Sequence, residues 1–153
     1  MHRLLPLLFV LLSGACATAA APPVLPLEAI TFAPSLQVDL DSMEQLTTGV
    51  YIRDLREGDG PLVRYGRRVA VHYTGYLSDG TQIEQLAPSS PPAQFTVGER
   101  AVIRGWEEGI IGMRPGGERQ IVIPPSKGYG ARQVGRVPPN STLVFVIRMV
   151  WVR

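Results

Sequence analysis

Residues 102–117 read VIRGWEEGIIGMRPGG, and this stretch decides how the chain folds. Ile103, Trp106, Ile110 and Met113 recur at spacings of three and four, so they fall on one stripe of a helix. The spacing predicts a helix from about Arg104 to Met113. Glu107 and Glu108 lie in its N-terminal half, where the helix dipole favours negative charge. Pro115-Gly116-Gly117 stops it.

Working outward, the flanking segments read as strands. Glu118 to Ile123 is one. Pro124 to Pro139 is a long loop around Tyr129, and Thr142 to Val152 (TLVFVIRMVWV) is a terminal strand. That strand is so apolar that part of it must be covered on both faces. Upstream, Val69 to Leu77 (VAVHYTGYL) alternates clearly. Val69, Val71, Tyr73 and Leu77 fall on one face, and Ala70, His72, Thr74 and Tyr76 on the other. Ser78-Asp79-Gly80 turns the chain, and Thr81 to Glu84 returns as the second arm of a hairpin. Ala87 to Pro92 is a loop by composition, and Gln94 to Val97 a short strand. Thr48 to Leu55 is another strand, closed by the turn cluster Glu57 to Pro61. Several strands with mostly local antiparallel connections and one segregated helix predict an α+β fold, a curved antiparallel β-sheet wrapped around one short α-helix.

The composition admits one ordinary globular domain, 45% hydrophobic and 18% charged. The net charge of +2 comes with scattered arginines and no dense basic run, which argues against a nucleic-acid partner. Conventional catalysts are missing. His72 is the only histidine beyond the N-terminal segment, and no G-x-S-x-G elbow accompanies it. Asp39 and Asp41 have no His, Cys or further carboxylate clustered with them in sequence, so no metal site is predicted. Gly58-x-Gly60 lacks the strand, helix and later acid of a dinucleotide fingerprint. What remains are aromatic and branched residues placed where strands and loops converge.

Four segments then stand together. VHYTGYLSDGT (Val71 to Thr81), VIRGWEEGIIGMRPGG (Val102 to Gly117), GYG (Gly128 to Gly130) and VPPNSTLVF (Val137 to Phe145) resemble FKBP-type peptidyl-prolyl cis-trans isomerases in order and spacing. The resemblance implies a pocket with Trp106 as its floor and Tyr73 and Phe145 as walls. Val102 and Ile103 would lead into the helix, with the Ile103 backbone N–H bonding a substrate carbonyl. Tyr129 would offer its hydroxyl to the substrate, and Val137 would close the rim. Where the family usually has Phe-Asp, this chain has Ile83-Glu84, which keeps a wall without a ring and a charge one methylene further out. Ala93 stands where another pocket aromatic is common, and Arg136 replaces a rim aliphatic. The resemblance implies isomerase activity on X–Pro segments of unfolded or exported proteins, with no cofactor and no metal. The departures predict weaker activity than typical members and weak binding of any macrolide ligand. The alternative is an FKBP-fold binding module or holdase with little turnover.

The N-terminus points to export. Met1-His2-Arg3 is a short positive start, Leu4 to Leu12 an apolar run, and Ser13 to Ala17 small residues, the order of a secretory signal. The apolar part is too short to span a bilayer as a helix. Cys16 is the only cysteine, so no intrachain disulfide is possible. Ser-Gly-Ala-Cys is similar to a bacterial lipobox, which makes Cys16 the expected lipidation site. Cleavage after Ala17 or Ala19 is the competing reading. The expected organisation is a signal peptide over 1–16, a Pro/Ala-rich tether and extension over 17–45, and the isomerase domain over 46–153. The protein is then expected in the periplasm, touching the membrane only through its lipid. Ala17 to about Pro34 reads as a tether, not a packed element. Leu36, Val38 and Leu40 alternate as a short edge strand or ordered extension.

Overall fold

The computed structural model describes residues 20–153; Cys16 and the expected signal lie outside the described residues. Among the described residues the strands are β1 (Glu44–Gln45), β2 (Tyr51–Arg56), β3 (Arg68–Leu77), β4 (Gln82–Leu86), β5 (Ala93–Thr96), β6 (Glu118–Ile123) and β7 (Leu143–Val152), with one α-helix, α1 (Arg104–Gly109). They form one antiparallel sheet in the order β1-β2-β6-β7-β3, with β4 and β5 following one another along the far edge of β3. The fold is α+β as the patterning predicts. Its centre is less local than expected, because β7 closes the sheet by inserting between β6 and β3. The mostly apolar run of β7 suits it to that central place, and β6 buries Ile121, Val122 and Ile123 beside it.

The period-two reading of β3 holds. Val69, Val71, Tyr73 and Leu77 join the main core together with Ile121, Ile123, Leu143, Phe145, Ile147 and Met149. Trp106, from α1, and Ile110, just after it, pack into the same core. The helix lies close on β6 through two glycines one turn apart. A Cβ on Gly105 would collide with the Ile123 side chain, and one on Gly109 would meet Ile121 Cδ1 at 2.7 Å. The helix ends at Gly109, one turn short of the expected Met113. Gly112 adopts a left-handed φ of 82°, and Arg119 Nη1 donates to the carbonyls of Gly109 (2.9 Å) and Ile111 (2.8 Å). A buried guanidinium thus satisfies the end of the helix where another turn would have done so. The same side chain forks onto the Asp54 carboxylate of β2 at 2.7 and 2.9 Å. Ile110 and Met113 stay buried although the last turn is irregular.

The opposite face of the sheet is also covered, and here the expectation of a loose tether differs from the structure. Leu27, Leu36 and Met43 are buried against Tyr51, Val122 and Val144, with Ile30, Phe32, Val38, Leu40 and Tyr76 around them. The covering segment is three single 3-10 turns, Leu27–Ala29, Pro34–Leu36 and Leu40–Ser42, in place of an edge strand. It is bonded to the domain by Ala33 N–H to Ser78 O (2.8 Å), Gln120 Nε2 to Leu36 O (2.7 Å) and Tyr51 Oη to Glu28 (2.9 Å). The physical reason is apolar area. Val122 and Val144 are 0% exposed although they point away from the main core, so something had to cover them.

Candidate active site

β3 and β7 pair Gly75 directly with Phe145. Without a side chain at Gly75, one edge of the Phe145 ring approaches the strand backbone closely. Tyr73, two residues along β3, and Trp106, from α1, meet that ring. Their centroids are 4.7 Å apart for Tyr73–Trp106, 5.2 Å for Trp106–Phe145 and 6.2 Å for Tyr73–Phe145, all edge to face. Such pairs are the favoured arrangement of aromatic quadrupoles. Phe95, on β5, adds a fourth ring 6.2 Å from Trp106.

Together these rings bound a cavity of about 190 Å³ lined by Tyr73, Glu84, Ala93, Phe95, Ala101, Val102, Ile103, Trp106, Tyr129 and Phe145. Trp106 forms the apolar floor, 5% exposed. Its Nε1 is buried with no hydrogen-bond partner among the described residues. Ile103 and Tyr129 also line the cavity, and neither the Ile103 N–H nor the Tyr129 hydroxyl has an acceptor among the described residues. No Ser, Cys, His or Lys lines the cavity. The Glu84 carboxylate is engaged instead by the Tyr73 hydroxyl, which donates to it at 2.5 Å. Burial, then that hydrogen bond and the Glu84 charge, push the Tyr73 pKa well above the ordinary tyrosine value. Burial and the Glu84 charge also push the Tyr129 hydroxyl up. Both phenols are therefore neutral donors at ordinary pH.

Second contacts hold these groups in place. Lys127 Nζ pairs with Glu108 at 2.8 Å, fastening the turn before Tyr129 to α1. Asn140 N–H donates to Gly130 O (2.7 Å) just after Tyr129. Glu107 accepts from the backbone of Gly98 (3.0 Å) and Arg100 (2.9 Å), tying the approach to the helix onto the helix itself. His72 plays no part in the cavity. Its Nε2 donates to the Ser90 carbonyl (2.9 Å) and pins the loop between β4 and β5.

Of the residues expected at the site, Tyr73, Glu84, Val102, Ile103, Trp106, Tyr129 and Phe145 converge on the cavity, and Ile83 and Val137 do not line it. Ile83 packs on the main core from its edge. Val137 is 5% exposed within that core, drawn in by the bridge it makes with Val134. Phe95 and Ala101 are lining residues the sequence reading passed over. The only signal for Phe95 was its inward place in a four-residue strand.

A family model described as FKBP-type peptidyl-prolyl cis-trans isomerase matches residues 60–150. The chain belongs to the FKBP family. An FK506-binding protein of Neisseria meningitidis serogroup B is 42% identical over 103 residues, 67% of this chain and 94% of that protein. An FK506-binding protein of Streptomyces anulatus is 40% identical over 102 residues, 65% of this chain and 82% of that one. Among solved FKBP structures, FkpA from Escherichia coli superposes with a TM-score of 0.66 at 33% identity, over 72% of this chain and 51% of FkpA. AtFKBP13 gives 0.66 at 30% identity, over 71% and 97%.

Proposed function

We propose that this FKBP catalyses cis–trans isomerisation of X–Pro bonds in exported proteins, held at the bacterial envelope by lipid on Cys16. The isomerase reading is carried by one observation: a small ring-walled cavity lined by Ile103 and Tyr129, whose N–H and hydroxyl have no acceptor among the described residues. An X–Pro bond is held planar by amide resonance, with a barrier of ~18–20 kcal/mol. Resonance also polarises the carbonyl, and water favours that polarised planar state. The twisted transition state has lost resonance and much of its dipole. An apolar cavity therefore favours the twisted form over the planar one, which is differential binding without nucleophile, general base or cofactor. Each tenfold acceleration requires about 1.4 kcal/mol of that preference. Donors at the rim hold the carbonyl as it turns.

Size supports a proline ring over a larger guest. Sites for drug-sized ligands run to roughly 300–1,000 Å³, and this one is about 190 Å³. Weak macrolide binding is proposed on a different ground, that Ala93 leaves one wall of the cavity without a ring. The export reading rests on the order of charge, apolar run and small residues at the N-terminus.

A protease-free peptide assay tests the activity. Tyr129→Phe removes one hydroxyl and should lower kcat/KM several-fold; Trp106→Leu should lower it further. Equal rates in both variants and the wild type would leave only peptide binding. Mass spectrometry of the mature N-terminus tests the anchor, and an unmodified chain starting at Thr18 or Ala20 rules it out.

A further inference from the structure

A second depression, about 440 Å³, adjoins the cavity and shares Ala101, Val102, Ile103 and Tyr129 with it. Its remaining lining is Arg100, Arg104, Ser126, Lys127, Gly128 and Arg132, four cations and no carboxylate. Lys127 is neutralised by Glu108. Arg100, Arg104 and Arg132 are exposed and have no ion-pair partner among the described residues. The clustering is local, since the whole chain carries 15 Lys and Arg against 13 Asp and Glu.

The backbones that present these arginines are fixed. Arg100 sits at a left-handed φ of 60°, and its N–H is held by the buried Glu107 carboxylate at 2.9 Å. Arg104 begins α1. Arg132 follows Tyr129, whose carbonyl accepts its N–H at 3.3 Å. The cavity shares Val102, Ile103 and Tyr129 with this groove, so one arm of a peptide with proline over Trp106 can run past them into the positive groove, while Glu84, the one carboxylate lining the cavity, is engaged by the Tyr73 hydroxyl. An extended chain advances about 3.3–3.6 Å per residue, so the groove meets residues within a few positions of the proline.

We propose that Arg100, Arg104 and Arg132 make this site select X–Pro segments with Asp or Glu within three residues of the proline. The inference rests on the isomerase reading and names the substrate class for it. Low-dielectric walls focus the field of such a groove on its occupant, raising both encounter rate and affinity for acidic chains.

The test uses peptides identical around one Leu-Pro bond, flanked on either side by Glu, Gln or Lys. Isomerisation by the full mature protein is followed by NMR exchange, and binding by fluorescence anisotropy of the same labelled peptides. At low ionic strength the Glu peptide should exceed the Lys peptide about tenfold in kcat/KM, since an exposed pair contributes about threefold and reversing the peptide charge doubles the effect in free energy, which squares that factor. High salt should compress that ratio. Arg100→Glu with Arg132→Glu should invert it; Arg132→Glu alone, on an exposed loop, should reduce it if the double variant fails to fold. A Glu-to-Lys ratio near one in the wild type, or a ratio unmoved by charge reversal, overturns the inference while leaving the isomerase reading intact. If no peptide turns over, the isomerase reading fails, and the anisotropy ratio decides the charge selectivity by the same criteria.

Discussion

Replacing Gly75 with alanine sets two rules against each other. Gly75 lies inside β3 and is absent from the glycines with positive φ, so its backbone accepts any residue. Propensity then favours alanine, because glycine in a strand interior is worse by about 0.5–1 kcal/mol. Packing says the opposite. A Cβ there would overlap Cε1 of Phe145 and approach Cδ1 at 3.0 Å and Cζ at 3.1 Å, a whole edge of the ring. Phe145 is 2% exposed, so the ring has no easy retreat. It must swing into the cavity or push β3 and β7 apart. Overpacking of this kind costs about 1–3 kcal/mol. Loosening the contacts of Phe145 with Trp106 and Tyr73 adds part of about 0.5–1.5 kcal/mol for each pair. After the propensity gain, Gly75→Ala should destabilise by about 1–3 kcal/mol. Urea unfolding should show a lower midpoint with an unchanged slope. Peptide isomerisation should fall as well, because the displaced ring occupies the cavity. Phe145→Leu removes the obstructing edge, so Gly75→Ala should be milder in that background, with a coupling of at least about 0.5 kcal/mol. A midpoint at or above wild type for the single variant would refute the packing argument.

Three further outcomes follow from contacts described above. Leu36→Ala should lose about 2–4 kcal/mol in the same unfolding assay, as for a buried leucine, whereas a loose tether would register less than about 0.5 kcal/mol. Lys127→Met strands the partly buried Glu108 and should cost about 1–3 kcal/mol; adding Glu108→Gln should restore part of it, and kcat/KM should drop in the single variant as Tyr129 loosens. The raised pKa of Tyr73 means the folded state prefers the neutral phenol. That stabilisation is intact below about pH 10, the unfolded value, and is lost as pH rises through the folded one. The stability advantage of wild type over Tyr73→Phe should therefore shrink above that pH; a constant gap across the alkaline range contradicts it.

The legibility of this fold varied with periodicity. β3 and β7 were readable because alternation or a mostly apolar run leaves few alternatives for strands of that length. The last turn of the helix was not, since the stripe through Met113 says nothing of Arg119 arriving from β6 to take the carbonyls of Gly109 and Ile111. The covering segment was hidden for a different reason. Its apolar residues follow neither helical nor strand spacing and are interrupted by Pro26 and Pro34. The clue lay on the other partner, in the outward-facing Val122 and Val144. At the candidate site, Trp106, Tyr73 and Phe145 were legible through their motifs. Motif position could not tell that Val137 turns into the core or that Ile83 stays off the cavity, because side-chain direction there depends on a local bridge and on the bulge between Gly75 and Tyr76.

The edges of the sheet carry a consequence for a protein proposed to meet unfolded chains. One boundary is β1, only two residues long. The other is split between β4 and β5, and the Ala87 to Pro92 loop between them holds three prolines and is pinned by His72. The edges left open are short, the end of β2 beyond Ile52 on one side and the five residues of β4 on the other. In the proposed activity a client chain would rest its proline on Trp106 and find only short stretches of sheet edge to pair with, which would favour release after capture.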